Sequence, residues 1–210
     1  MQKVCVWIIR WDYFLEPANL DFTEYLRGTL SPEELARSLK YYFPDDRYRS
    51  YLSRGLVRIL GASYTGINLK NIDIIKGYNG KPAFSGEASD LKFNISHSGE
   101  YIMMAFTFGR EIGVDVEKQD SKADFYGMSE LFAHEEESLI KRSCDYRVFY
   151  DTWVCKEAFI KNTGEGLARS LNSFTVRGDD IIIDGRIQDK LLLKRIKVNN
   201  EYAAAMVVEK

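Results

Sequence analysis

The chain has 210 residues, 45% of them hydrophobic and 29% charged, the balance of a globular protein large enough for one domain or two small ones. Its 29 Lys and Arg against 31 Asp and Glu leave a net charge of −2, which argues against a general nucleic-acid binder. No stretch approaches the roughly 20 consecutive apolar residues that span a bilayer, and the short apolar N-terminal stretch lacks the small-residue cleavage site of a signal peptide. The three cysteines, Cys5, Cys144 and Cys155, are odd in number and show no metal-ligand spacing. A cytoplasmic protein with no membrane or nucleic-acid partner is therefore expected, with Cys5 and Cys155 as reduced core residues.

Residues 4–9 read as a first strand. Ser31-Pro32-Glu33-Glu34 supplies an N-cap, a proline at the first helical position and acids in the first turn, which predicts a helix to about Tyr42. A longer helix is predicted from Asp45 or Asp46 through Tyr64, because Tyr51, Leu52, Leu56, Ile59 and Leu60 recur at helical spacing, and Gly66 ends it. Ile72–Ile75, Phe93–Ser96, Tyr101–Phe108 and Ile112–Glu117 read as strands. Helical pattern returns over 128–142 and 146–162 and is closed by Gly164 and Gly166. Strands near 172–177, 181–183, 191–198 and 202–208 complete the chain.

Tyr48-Arg49 and Thr65-Gly66 are matched by Tyr146-Arg147 and Thr163-Gly164, both 98 positions later. The Glu100-Tyr101 pair resembles Glu201-Tyr202. These repeats predict an α+β protein made of a pseudo-twofold pair of similar halves, 1–111 and 112–210, with the active site in the cleft between them and most of the metal site in the second half. The halves differ where Ile59 stands in the position corresponding to Glu157.

Chemistry concentrates in two segments. In Ile112-Gly113-Val114-Asp115-Val116-Glu117-Lys118, apolar and polar residues alternate, so Asp115 and Glu117 share one face of a strand. Gly113 on the same face permits close backbone approach. Alone, paired acids on a strand are as well explained by a solvated face, but the apolar run Tyr101–Phe108 points to a buried neighbouring strand, and paired acids there need a counter-ion. In Trp153–Lys161, Trp153, Glu157 and Lys161 recur every fourth residue on one helix face. A plain surface salt bridge would explain Glu157 and Lys161, but the indole on the stripe points to a partly buried face. Brought together, three carboxylates and a lysine could hold Mg²⁺ and meet a phosphate. His97, flanked by Ser96 and Ser98, is a candidate phosphate contact, as is Lys81 between Gly80 and Pro82. His134 is explained by an acidic helix start, and a charged solvent face accounts for at least two of Arg47, Arg49, Arg54 and Arg58.

The ordered set Gly80-Lys81-Pro82, Asn94-Ile95-Ser96-His97-Ser98, Gly113-Val114-Asp115-Val116-Glu117 and Trp153 to Lys161 resembles the 4′-phosphopantetheinyl transferases of the single-chain, surfactin-synthetase type. The resemblance runs from about Ser31 to the C-terminus and implies a fold of two similar α+β halves. It implies transfer of the 4′-phosphopantetheine arm of coenzyme A to a serine of an apo acyl, peptidyl or aryl carrier protein, with release of 3′,5′-ADP. It further implies Mg²⁺, with Mn²⁺ as a substitute, held by Asp115, Glu117 and Glu157. Lys161 would neutralise charge on the leaving phosphate, and Glu136 or Glu157 would take the serine proton. Arg37, Arg49, Ser50, Lys81, Ser96 and His97 would hold the adenine end and the 3′-phosphate of coenzyme A, with Lys156 as a further coenzyme A contact. Glu34 departs from the family, which often carries a basic residue there, and Arg37 is the expected compensation. A fused pseudo-dimer has already buried the usual dimer contact, so a monomer is expected. Two readings compete with this one: a metal-dependent nuclease using Asp115, Glu117 and Lys118, and a non-catalytic module that holds coenzyme A or a carrier protein.

Overall fold

The computed structural model describes residues 3–210, apart from the side chains of Tyr78 and Leu167. The chain divides into two compact units. The first comprises the residues up to Gly77 together with Pro82–Gly109, and the second comprises Tyr78–Lys81 and Arg110–Lys210. The division thus falls at Gly109, and the Gly80-Lys81 loop goes with the second unit.

In the first unit, β1 (Cys5–Arg10) leads to α1 (Leu20–Gly28), α2 (Pro32–Ser38) and α3 (Pro44–Thr65), then to β2 (Ile74–Lys76), β3 (Pro82–Phe84), β4 (Leu91–Ser98) and β5 (Tyr101–Phe108). An antiparallel sheet of order β1-β5-β4 carries α3. Its apolar residues Leu52, Leu56 and Val57 pack with Phe93, Ile102, Met104 and Phe106 in one core. The tight β4–β5 hairpin, with Ser98 opposite Tyr101, sets His97 beside the turn.

α2 opens with a full capping box: Ser31 Oγ accepts from the Glu34 amide and Glu34 Oε2 accepts from the Ser31 amide. It stops at Ser38, short of the expected Tyr42, because Pro44 opens the next helix and forces Phe43 into extended backbone at φ −82°, ψ 137°. The expected strand at Ile72 begins at Ile74. Ile72 instead drops into the core, where its carbonyl accepts from Arg58.

In the second unit, β6 (Ile112–Lys118) is followed by α4 (Phe125–Ser129), α5 (His134–Ser143) and α6 (Tyr146–Thr163). Five strands follow: β7 (Thr175–Arg177), β8 (Asp180–Ile183), β9 (Arg186–Ile187), β10 (Leu191–Arg195) and β11 (Tyr202–Glu209). An antiparallel sheet of order β10-β11-β6 supports α6, and β7-β8-β9 forms a small meander. Val154, Ala158 and Phe159 of α6 pack on Ala203, Ala205 and Val207 of β11. The single helix expected over 128–142 is two short ones. Phe132 turns inward to stack on Phe149, with ring centroids 5.5 Å apart, and the chain around Ala133 is extended before α5 restarts.

α3 and α6 end alike. Gly66 and Gly164 adopt left-handed backbone, at φ 73° and 72°, and donate to the carbonyls of Ala62 and Ile160, each at 2.9 Å. Among the described residues no helix is long and apolar enough to cross a membrane.

Candidate active site

The carboxylates of β6 face α6. In the antiparallel register Gly113 lies opposite Val207, Asp115 opposite Ala205 and Glu117 opposite Ala203, so the residues beside the acids are small. Gly113 is the seat of the helix. A Cβ at this position would lie 2.1 Å from the Ala158 carbonyl oxygen and 2.2 Å from the Asn162 nitrogen, so no side chain fits beneath α6. This close approach lets the C-terminal end of the half-buried α6 stripe reach the strand. Lys161 Nζ lies 2.6 Å from Asp115 Oδ1, and Asp115 is only 2% exposed. Glu157 is half-buried on the same stripe. Burial pushes its carboxyl above the usual carboxylate range, the Asp115 carboxylate pushes it further, and Lys161 pulls it back. Trp153, the third member of the stripe, is also half-buried, against Phe132 and Phe149.

Two carboxylates in mutual repulsion beside one ammonium make a site that a further cation would stabilise. Asp115 and Glu157 fit Mg²⁺, which takes one or two protein carboxylates and fills its other positions with water and substrate phosphates. Glu117 is half-buried at the next position of the same face. Among the described residues no three His, Cys, Asp or Glu side chains are grouped so as to hold a metal by themselves.

Glu136 and Lys156 meet elsewhere in the second unit. Lys156 is fully buried, and its Nζ lies 2.7 Å from Glu136 Oε2. It donates to the carbonyls of Leu171 (2.9 Å) and Phe174 (2.6 Å) and sits 4.1 Å above the Phe174 ring. Glu136 Oε1 accepts from the Val176 amide and Oε2 from the Ala133 amide. Burial pushes Glu136 up and Lys156 down, and each is pulled back by its partner's charge. Both groups are thus committed to tying α5, α6 and β7 together. Lys81 is similarly engaged. Its ammonium donates to Glu111 Oε2 (2.8 Å) and to the carbonyls of Ile112 (3.0 Å) and Asn162 (3.2 Å), which joins the start of β6 to the end of α6.

The other expected coenzyme contacts lie in the first unit. Ser50 and exposed His97 line a cavity of about 180 Å³. Arg49 donates to the Gly99 carbonyl at 2.8 Å, pairs with Asp46 and stacks over Trp11. Ser96 is buried on β4, and Arg37 is half-buried on α2.

Comparison with known proteins places both units. Residues 15–108 match the family model "4′-phosphopantetheinyl transferase, N-terminal", and residues 111–207 match "4′-phosphopantetheinyl transferase superfamily". The chain is 33% identical to the 4′-phosphopantetheinyl transferase ffp of Bacillus subtilis, over 85% of this chain and 79% of that one. It is 31% identical to the transferase Sfp of the same species, over 79% and 74%. It is 33% identical to HetI of Nostoc sp., over 69% of this chain and 63% of that one.

The chain is a 4′-phosphopantetheinyl transferase. Membership favours neither the nuclease nor the non-catalytic reading. Proteins of this name move the phosphopantetheine arm of coenzyme A onto apo carrier proteins, so a pyrophosphate and a serine hydroxyl are the groups its site must handle.

Two features of the transferase escape motif reading. Asn162 donates to the carbonyls of Glu111 and Val207, so it locks α6 to the sheet from inside. Glu34 pairs with Arg58 at 2.7 Å and Arg54 at 3.6 Å while capping α2, so its charge is built into the first unit. The charge on Glu34, set against Arg54 and Arg58 at helical spacing, was a signal that could have found it.

Proposed function

We propose that this transferase is a Mg²⁺-dependent holo-carrier-protein synthase that works on the carrier serine with the residues of β6 and α6. The observation that carries this reading is the buried Asp115 carboxylate with Lys161 on one oxygen and the repelling Glu157 beside it. Asp115 and Glu157 hold the cation, with Glu117 as the third candidate ligand. When bound, the cation draws charge from the coenzyme A pyrophosphate and eases its cleavage.

The serine oxygen forms a bond to the phosphorus that bears the pantetheine arm, the bridging phosphorus–oxygen bond breaks, and 3′,5′-ADP leaves. A serine hydroxyl is a weak nucleophile, so a base must take its proton. Glu157 takes it, directly or through water, because both Glu136 oxygens already accept hydrogen bonds inside the unit. Lys161 offsets the negative charge that builds on the phosphate as the bond breaks. Arg37, Arg49, Ser50, Ser96 and His97 serve the nucleotide end. Ser50 and His97 line the cavity of the first unit and the other three lie in the same unit, which supports this division of labour. The matching ends of α3 and α6 support reading the two units as copies of one ancestral half. We also assign the protein to the cytoplasm as a monomer.

The test is product analysis. With coenzyme A, Mg²⁺ and an apo carrier protein, 3′,5′-ADP should appear in step with carrier consumed, and a carrier with its acceptor serine replaced by alanine should yield none. Release of 3′,5′-ADP that is indifferent to the carrier serine would contradict the reading.

A further inference from the structure

Lys161 stands in the last turn of α6, which ends at Thr163. Last turns of helices fray, because their carbonyls find no partner within the helix. A lysine there, on a flexible four-carbon stem, has no fixed place of its own. Gly113 beneath the turn gives close approach but no side chain to set the helix against. Asn162, the next residue, supplies the missing hold. It is 3% exposed, and its Nδ2 donates to the Glu111 carbonyl at 2.8 Å and to the Val207 carbonyl at 3.4 Å. Glu111 immediately precedes β6, and Val207 lies opposite Gly113 on β11. One carboxamide therefore ties the turn to two strands beside the glycine. The backbone carbonyl of Asn162 is held as well, by Lys81 Nζ at 3.2 Å. The first unit offers a comparison. Counted back from the glycines that end α3 and α6 alike, Lys161 corresponds to Ser63 and Asn162 to Tyr64. Where the lysine is absent, the carboxamide is absent too, and the Tyr64 hydroxyl accepts from Trp7 instead.

We propose that Asn162 is a positioning residue for the transfer step, whose carboxamide fixes the end of α6 on the sheet and so sets where the Lys161 ammonium stands. The inference rests on the role of Lys161 proposed above. At 3% exposure Asn162 is too well covered to touch either substrate, so it acts through its neighbour. Lys161 meets charge that builds only as the phosphorus–oxygen bond breaks. A displaced ammonium therefore loses stabilisation of the transition state and leaves the binding of coenzyme A as it was. This gives the positioning role a signature that a plain packing contact lacks: a fall in kcat, without a change in KM, that depends on Lys161 being present.

The experiment is a double-mutant cycle of Asn162→Ala, Lys161→Met and the two combined. Each variant is melted and then assayed well below its Tm with coenzyme A, Mg²⁺ and an apo carrier protein. Asn162→Ala should lower kcat by roughly tenfold or more, as expected for misplacing a group in the site, and leave KM for coenzyme A unchanged. In the Lys161→Met background the same substitution should cost less than about twofold, since the ammonium it positions is gone. An equal loss in both backgrounds, a rise in KM that accounts for the effect, or an Asn162→Ala protein with the kcat of the wild type would overturn the proposal. If Asn162→Ala does not fold, Asn162→Gln keeps both donors on an arm longer by one methylene, and the same outcomes decide. Lys161→Met alone separates the two readings. Normal kcat in that variant removes the proposed role of Lys161 and this inference with it. A low kcat there, with an equal Asn162 effect in both backgrounds, removes this inference alone.

Discussion

Gly113→Ala tests how the site is assembled. The substitution adds one methyl group to a buried strand, which would ordinarily suit strand structure. Here the methyl carbon would lie 2.1 Å from the Ala158 oxygen and 2.2 Å from the Asn162 nitrogen. Those distances fall roughly 1 Å short of tolerable non-bonded approach, and both obstacles are helix backbone, which cannot rotate aside. α6 must therefore lift from β6 near its C-terminal end, where Lys161 meets Asp115 at 2.6 Å. Overpacking of this kind costs about 1–3 kcal/mol. Displacing catalytic groups by about 1 Å costs on the order of 10²-fold in rate. Thermal melting and kcat, measured on one preparation, should both fall. Gly28→Ala is the control, since nothing lies within 4 Å of a Cβ at that helical position, and it should lower neither. A Gly113→Ala protein that melts and turns over like the wild type would refute the claim that α6 rests on this glycine.

Other outcomes follow from the same geometry. Lys161→Met should lower kcat by roughly 10²-fold while Mg²⁺ binding survives, whereas Glu157→Gln should weaken both Mg²⁺ dependence and turnover. Normal kcat in both variants would remove the stripe from the site. Glu136→Ala should destabilise the protein by about 3–5 kcal/mol in urea denaturation, because it leaves the buried Lys156 ammonium without its carboxylate. A loss below about 1 kcal/mol would mean the pair is not what holds α5 and β7 to α6. Cys155, whose thiol burial pushes up to about 12, should resist maleimide at pH 8 until the protein unfolds, while exposed Cys144 reacts at once. Equal labelling of both in the native protein would contradict the packing of α6.

Much of this architecture was legible in the sequence because its signals are periodic. The apolar run of β5 and the alternation in β6 gave both strands within a residue of their observed ends. Gly113 was legible as a site of close approach, and the stripe of Trp153, Glu157 and Lys161 as a half-buried face. α1 was not foreseen: its pattern is amphipathic, but it runs for only nine residues, with Thr23 and Leu26 buried and Phe22 and Tyr25 exposed. The break between α4 and α5 depends on Phe132 finding Phe149, a contact that local pattern does not encode.

Lys156 shows a different limit. The family resemblance implies a coenzyme A contact for it. On the helix, however, it shares a stripe with Phe149, Thr152 and Phe159, all buried. That spacing was visible and predicts an inward-facing lysine. What it could not supply was the identity of the partner, because Glu136 arrives from α5 only once the unit has folded.

The most direct measurement of the central claim is intact-protein mass spectrometry of an apo carrier protein after incubation with this transferase, coenzyme A and Mg²⁺. Wild type should add the mass of one phosphopantetheine arm at the carrier's acceptor serine, and Asp115→Ala should add none at the same Mg²⁺ concentration while remaining folded. An unmodified carrier across a broad panel with the wild type, or full modification by Asp115→Ala, would contradict the account.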